Sequence, residues 1–227
     1  QVLLQRYVKL EDATCVAPNN VLSHTVSTSS GTYKPIEFLG EQQIRKYQQL
    51  TDLSSVSLRL AKLSSIADDA TQWKNLHHLL ELDLSGNLFS DWNFINIIFK
   101  HFSNLKKLSV GGNRIGDCDS DLQSHSSLEF INLNDTNLTI KSLSYLGRAL
   151  PKLNTLQGQF DFLATTTTTT FFARLESLDC CSCKVDDAAA FVQCLSNTKT
   201  LTCPKLDDNP DLNNLNCDII IKGFLNN

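Results

Sequence analysis

Cys180-Cys181-Ser182-Cys183 places three thiols in four positions, a spacing that could hold a metal ion or exchange disulfides. His77-His78 could supply imidazole ligands, and Asp186-Asp187 and Asp207-Asp208 are adjacent carboxylates. Each has a plainer reading. The histidines precede a strand, where neighbouring side chains point apart. The carboxylate pairs suit helix starts and turns. No Gly-x-Ser-x-Gly, phosphate loop or His-Glu-x-x-His occurs. Gly111-Gly112 follows a strand, but no nucleotide fingerprint surrounds it. These patterns give no ground for an enzyme, and none for a cofactor or a metal.

The elements that must position these residues are set by leucine. The chain has 227 residues, of which 36 are Leu, so internal repeats come first. The pattern Leu-x-x-Leu-x-Leu-x-x-Asn/Cys-x-Leu is matched by Leu79, Leu82, Leu84, Asn87 and, at its last position, Phe89. It recurs as Leu105, Leu108, Val110, Asn113 and Ile115. Leu128, Ile131, Leu133, Thr136 and Leu138 form a copy with Thr in the Asn slot, and Leu175, Leu178, Cys180, Cys183 and Val185 one with Cys there. Weaker copies start at Leu53 (Val56, Leu58, Ala61, Leu63) and Leu153 (Leu156, Gly158, Asp161, Leu163). A last one starts near Thr198, with Leu201 and Cys203. The intervals fall within the roughly 20–29 residues of leucine-rich repeats.

The expectation is an α/β leucine-rich-repeat solenoid of about seven repeats. It is a right-handed curved array with a parallel sheet on the concave face and helices or 3₁₀ turns outside. Helical spacing occurs at 94–99, 142–150 and 187–195. Residues 1–50 are expected to form a leading segment and cap, 51–211 the array, and 212–227 a C-terminal cap. Within the first, 19–32 reads as a loop. Thr165 to Thr170 reads as a surface insertion.

The array explains the thiols. Cys180 takes an inward position, Cys183 the Asn slot, and Cys203 an inward strand position, all as small apolar residues. Lys+Arg is 20 against Asp+Glu 24, which argues against affinity built on nucleic-acid phosphates or on a polybasic membrane anchor. The excess lies in residues 176–227, with eight acidic and four basic residues, and reads as a solvated acidic cap. No apolar run approaches the about 20 residues of a membrane span. The first residues do not read as a signal peptide, so a cytoplasmic location is expected and paired cysteines are not. Asn134-Asp135-Thr136 and Asn137-Leu138-Thr139 match the glycosylation pattern, but Asn and Thr are expected there from the repeat. The absence of Met suggests a piece of a longer protein.

Function is therefore expected on a surface. The outward strand positions of a concave face include Arg59, then Glu81 and Asp83, then Lys107. Phe130, Asn132 and Asn134 follow, then Gln157 and Gln159, then Asp179. An exposed Phe130 among amides is a pattern suited to binding protein.

The segments around the repeats go further. Arg6-Tyr7-Val8, Leu10-Glu11-Asp12, Lys34 to Gly40, Glu41 to Leu50 and Val56-Ser57-Leu58-Arg59 follow one another in an order that resembles the tubulin-binding cofactor E family. Leu82 to Trp92, with its Ser-x-Trp ending, resembles that family's second repeat. Leu128 to Leu138 is similar to the repeat that follows, and Asn209-Pro210 to a pair in its last repeat. The resemblance covers residues 6 to about 140 well and the rest loosely. It implies a cytosolic, cytoskeleton-associated tubulin-folding chaperone whose partners are α-tubulin and the sister cofactors D and C. It also implies a glycine-rich domain before the array and a ubiquitin-like domain after it, neither matched in this chain. The alternative is a cytosolic leucine-rich-repeat adaptor or inhibitor with another protein partner.

Overall fold

The computed structural model describes residues 25–27, 33–35, 53–162, 172, 174–185, 198 and 200–209. The chain divides into two compact units, Gln1–Leu53 and Ser54–Asn227. In the first, β1 (Thr25–Ser27) pairs antiparallel with β2 (Tyr33–Pro35), Val26 opposite Lys34. A strand at 25–27 corrects the loop expected over 19–32. Thr25 and Val26 are β-branched and suit a strand as readily as their polar neighbours suit a loop.

The second unit is built on one parallel sheet. Its strands are β3 (Ser55–Ser57), β4 (Glu81–Asp83), β5 (Lys107–Ser109), β6 (Phe130–Thr139), β7 (Thr155–Phe162), β8 (Ser177–Asp179), β9 (Lys184–Val185) and β10 (Cys203–Lys205). Seven of them follow one another in the sheet as β10-β8-β7-β6-β5-β4-β3, and β9 also pairs with β7. Each parallel step needs a crossover, which the remainder of each repeat supplies. Val56, Leu82, Leu108, Ile131, Leu156 and Leu178 lie in one register row, and all are buried. Leu58, Leu84, Val110, Leu133 and Cys180 form a second buried row two residues on. Burying each such aliphatic side chain contributes about 1.5–3 kcal/mol. This is the leucine-rich-repeat solenoid.

The crossovers hold α1 (Ala70–Trp73) with a 3₁₀ turn at Lys74–Leu76, α2 (Asn93–His101) and α3 (Ile140–Ala149). On α2, Phe94, Ile95, Ile97, Ile98 and Phe99 are buried, and basic Lys100 and His101 occupy the last turn, where the helix dipole favours them. Asp91 accepts from Asn93 N at 2.8 Å at its start. Thr139 caps α3, and Asp117 holds Thr139 through both its N and its Oγ1, at 2.7 and 2.9 Å. The helix expected at 187–195, the Thr165–Thr170 run and the 212–227 cap lie outside the described residues.

The polar slot forms a buried ladder. Asn87 Nδ2 donates to the Leu58 and Leu84 carbonyls at 2.9 and 2.7 Å, and its Oδ1 accepts from Leu63 N at 3.0 Å. Asn113 repeats this with the Leu84 and Val110 carbonyls and Phe89 N. Each Asn thus satisfies turn groups of its own repeat and the one before. Thr136 donates to Leu133 O alone. After the second inward residue of these repeats the backbone enters the left-handed region, at Leu60, Gly86, Gly112, Asp135, Ser182 and Asp208.

Two repeats differ from the sequence reading. The last begins at Leu201, not Thr198: Cys203 is in register with Ser177 and Pro204 with Leu178. The inward place expected for Cys203 therefore falls to Pro204, which a strand at the edge of the described sheet tolerates. Asn209 completes this repeat, its Nδ2 donating to the Cys180 and Leu206 carbonyls at 2.9 and 2.7 Å.

The repeat at Leu153 has no polar slot and no left-handed turn. Leu133 and Leu138 are five positions apart, whereas their register partners Gly158 and Phe160 are two apart. The chain runs straight through where its neighbours turn. Phe160 is in register with Leu138 and so takes the closing position expected of Leu163, and its ring is buried. Cys183 of the following repeat accepts from Phe160 N at 3.2 Å and donates to Gly158 O at 3.4 Å.

Candidate protein-binding face

The solvent side of the sheet carries the residues expected on it. In one register row stand Ser55, Glu81, Lys107, Phe130, Thr155 and Ser177. A second row holds Ser57, Asp83, Ser109, Asn132, Gln157 and Asp179, and ends at Lys205. Arg59, Asn134 and Gln159 each follow the second row by two residues. Arg59 and Lys107 are exposed and the other eight candidate residues are partly buried. Phe130, expected to be exposed, is among these.

Within this stripe charge is confined to the ends. At the β4 end, Lys107 Nζ pairs with Glu81 Oε1 at 2.7 Å. That bond holds the Glu81 carboxyl below its ordinary range. Ser57 Oγ donates to Asp83 Oδ2 at 3.4 Å. At the other end stand Asp179 and Lys205. Between them, Ser109, Phe130, Asn132, Asn134, Thr155, Gln157 and Gln159 are uncharged. Gly111 lies beside the asparagines: a β-carbon there would stand 3.0 Å from Asn134 O and 3.2 Å from Asn132 Oδ1.

Three of the candidates also serve the backbone, which sequence reasoning missed. Asp83 Oδ1 accepts from Ser85 N at 2.9 Å, Asn132 Oδ1 from Asn134 N at 2.9 Å, and Asp179 Oδ1 from Cys181 N at 3.3 Å. Each is an Asx turn that leads into the tight turn, Asp83 and Asp179 at the ends of β4 and β8 and Asn132 within β6. The Asp or Asn two residues before the turn was the available signal.

Cys180 and Cys183 are buried and Cys181 is partly exposed, all three as free cysteines. Among the described residues no group of three or more His, Cys, Asp or Glu could hold a metal ion. Burial pushes the Cys180 thiol well up, and the hydrogen bond with Asp179 raises Cys181. His77 and His78 stack edge to face at 5.3 Å. Among the described residues no helix is long and apolar enough to cross a membrane.

The straight run at Gly158–Phe160 leaves a second feature, at the rim where the other repeats turn. A cavity of about 490 Å³ is lined there by Arg114, Asp135, Asn137, Gln159, Phe160 and Ser182, with Gly112 and Leu138.

Comparison with known proteins agrees with the sequence reading. Tubulin-folding cofactor E of Arabidopsis thaliana is 28% identical over 135 residues, 59% of this chain and 25% of that protein. The chain is similar to tubulin-folding cofactor E. Tubulin-specific chaperone E of Danio rerio is 29% identical over 109 residues, 47% of this chain and 21% of its own length. That of Pongo abelii is 29% identical over 126 residues, 54% of this chain and 24% of its own. The chain thus spans about a quarter of the cofactor E relatives it matches. No family model matches. Among solved structures, the leucine-rich repeat domain of APL1B aligns with a TM-score of 0.47 at 16% identity, over 78% of this chain and 61% of that one. Internalin C2 of Listeria monocytogenes aligns with 0.43 at 17%, over 75% and 78%. The fold rests on the parallel sheet and its polar ladder, not on these alignments.

Proposed function

We propose that this array is a protein-binding platform of a tubulin-folding chaperone cofactor. It holds α-tubulin, a sister cofactor (D or C), or both, during assembly and disassembly of the α/β-tubulin heterodimer. The observation that carries this reading is the similarity to relatives named as tubulin chaperones. The sheet face supports it chemically. A partly buried Phe130 among Asn132, Asn134, Gln157 and Gln159 offers apolar area with amide donors and acceptors around it, the composition of a protein contact. The work of such a platform is recognition, with no bond made or broken by this chain, and its place is the cytoplasm, on the cytoskeleton.

The test is sedimentation of the chain with α/β-tubulin, with and without cofactor D. Co-migration that is weakened by Phe130→Ala and Gln157→Ala supports the platform reading. Failure to co-migrate under either condition overturns it.

A further inference from the structure

The rim cavity has no counterpart in the repeat pattern. Six described repeats carry a left-handed turn residue after their second inward position. The repeat at Leu153 carries none, and the cavity lies where its turn would stand. Its walls are the turns on either side: Asp135 and Asn137 from the repeat before, Ser182 from the repeat after, and Gly112 from one further back. Its floor is Phe160, held by Cys183.

The neighbouring turns show what such a place accepts. Leu60 N donates to Ser85 O at 3.0 Å, Gly86 N to Gly111 O at 2.8 Å, and Gly112 N to Asn134 O at 2.7 Å. Ser182 N donates to Asp207 O at 2.9 Å. At these four positions the turn rests on the next repeat's turn through a main-chain hydrogen bond, so this rim is shaped for polypeptide turns to pack against polypeptide turns. The lining is unlike a small-molecule site, which is mostly apolar. Here Arg114, Asp135, Asn137, Gln159 and Ser182 are polar, with one charge of each sign. An occupant of no net charge, presenting main-chain N–H and C=O groups, suits it.

We propose that the cavity receives a tight polypeptide turn from the partner protein, which takes the position of the missing turn and completes the rim. The occupant is a short loop tip of small uncharged residues. The proposal rests on the platform reading and adds where the partner inserts. Gln159 joins the two features, standing both on the sheet face and in the cavity lining.

The test uses the full chain and α/β-tubulin, with cofactor D when the dimer alone does not bind. Gln159→Trp fills the cavity from its sheet side, and Arg114→Glu, at an exposed side chain, reverses one wall charge. Lys62→Glu, at the rim of the first repeat, controls for charge alone. The expected result is binding weakened about thirtyfold by each cavity variant, the scale of one interface hot spot. Melting temperatures and Lys62→Glu binding stay as in the parent. Tight binding by both cavity variants overturns the insertion and leaves the platform reading standing. Equal weakening by Lys62→Glu overturns it in favour of diffuse electrostatics. No binding by the parent overturns both.

Discussion

The Phe160 ring stands where a β-carbon of residue 158 would be, and residue 158 is glycine. A side chain there would collide with the ring, so the missing turn depends on the pair. Gly158→Ala should cost about 1–3 kcal/mol by overpacking, and Phe160→Ala about 3–5 kcal/mol by leaving a cavity. Because both changes act on one contact, the double variant should lose less than the two costs together. Urea unfolding of the three variants measures this, and strict additivity would separate the two residues.

Asn87 and Asn113 each satisfy two carbonyls and one N–H in the buried ladder. Asn87→Leu or Asn113→Leu leaves those groups unpaired, at about 1–3 kcal/mol apiece. Thr136 makes a single ladder bond, so Thr136→Val should cost less than either. Unfolding midpoints in the reverse order would show that the ladder does not carry this share of stability.

How far the sequence disclosed this structure depends on how far each repeat keeps the leucine pattern. The copies at Leu79 and Leu105 have Leu and Asn in frame, and their strands, ladder residues and turns fall where the spacing puts them. The last repeat was displaced by three residues because Pro204 fills a leucine position and Cys203 beside it passes for a small apolar one. Register with Ser177 and Leu178 decides between them, and that is a long-range property. The short repeat hid its missing turn because Asp161 sits at the right interval for a polar slot. The outward rows were legible from strand alternation alone. The backbone duties of Asp83, Asn132 and Asp179 were not, since they depend on the turn geometry beyond each strand.

His125 is buried against Phe99, 5.0 Å between ring centroids, and its Nε2 donates to Phe102 O at 2.9 Å. Burial lowers its pKa from the ordinary 6.5. The unfolded chain then takes up a proton, as pH falls below about 6.5, that the folded chain does not. Stability from this group is complete above that pH and is lost as pH falls toward the folded value. His125→Gln keeps a donor but does not titrate, and should flatten the fall in stability below about pH 6.5. Asp68 is held below its usual 3.8 by hydrogen bonds from Lys100 and His101. Its contribution is present above 3.8 and lost in stronger acid, so the two groups act in separate windows. An unchanged slope in His125→Gln would remove the histidine from this account.

The thiols should separate by burial. With maleimide near neutral pH, Cys181 should label in the folded protein, slowed by the Asp179 carboxylate that raises its pKa. Cys180 and Cys183 should label only on unfolding, since both are buried. A chelator should leave the melting temperature unchanged if these are apolar packing residues. Mass analysis of the labelled peptides distinguishes the three, and labelling of Cys183 in the native state would mean that the contact with Phe160 opens.

A scan of the sheet face for partner binding should divide into two classes. Asp83, Asn132 and Asp179 each accept a backbone N–H two residues on, so replacing any by Ala removes a turn bond as well as a surface group. Loss of such a bond costs about 0.5–1.5 kcal/mol. Asp83→Ala and Asp179→Ala should therefore lower stability whether or not they touch a partner. Lys107, Phe130 and Gln157 have no such backbone bond among the described residues. Lys107→Ala removes only an exposed ion pair with Glu81, worth about 0–1 kcal/mol, so a change in tubulin affinity there reports contact rather than folding. Affinity and melting temperature measured side by side separate the classes. If Phe130→Ala, Gln157→Ala and Lys107→Ala all leave affinity unchanged while the parent binds, the partner is held elsewhere on the array.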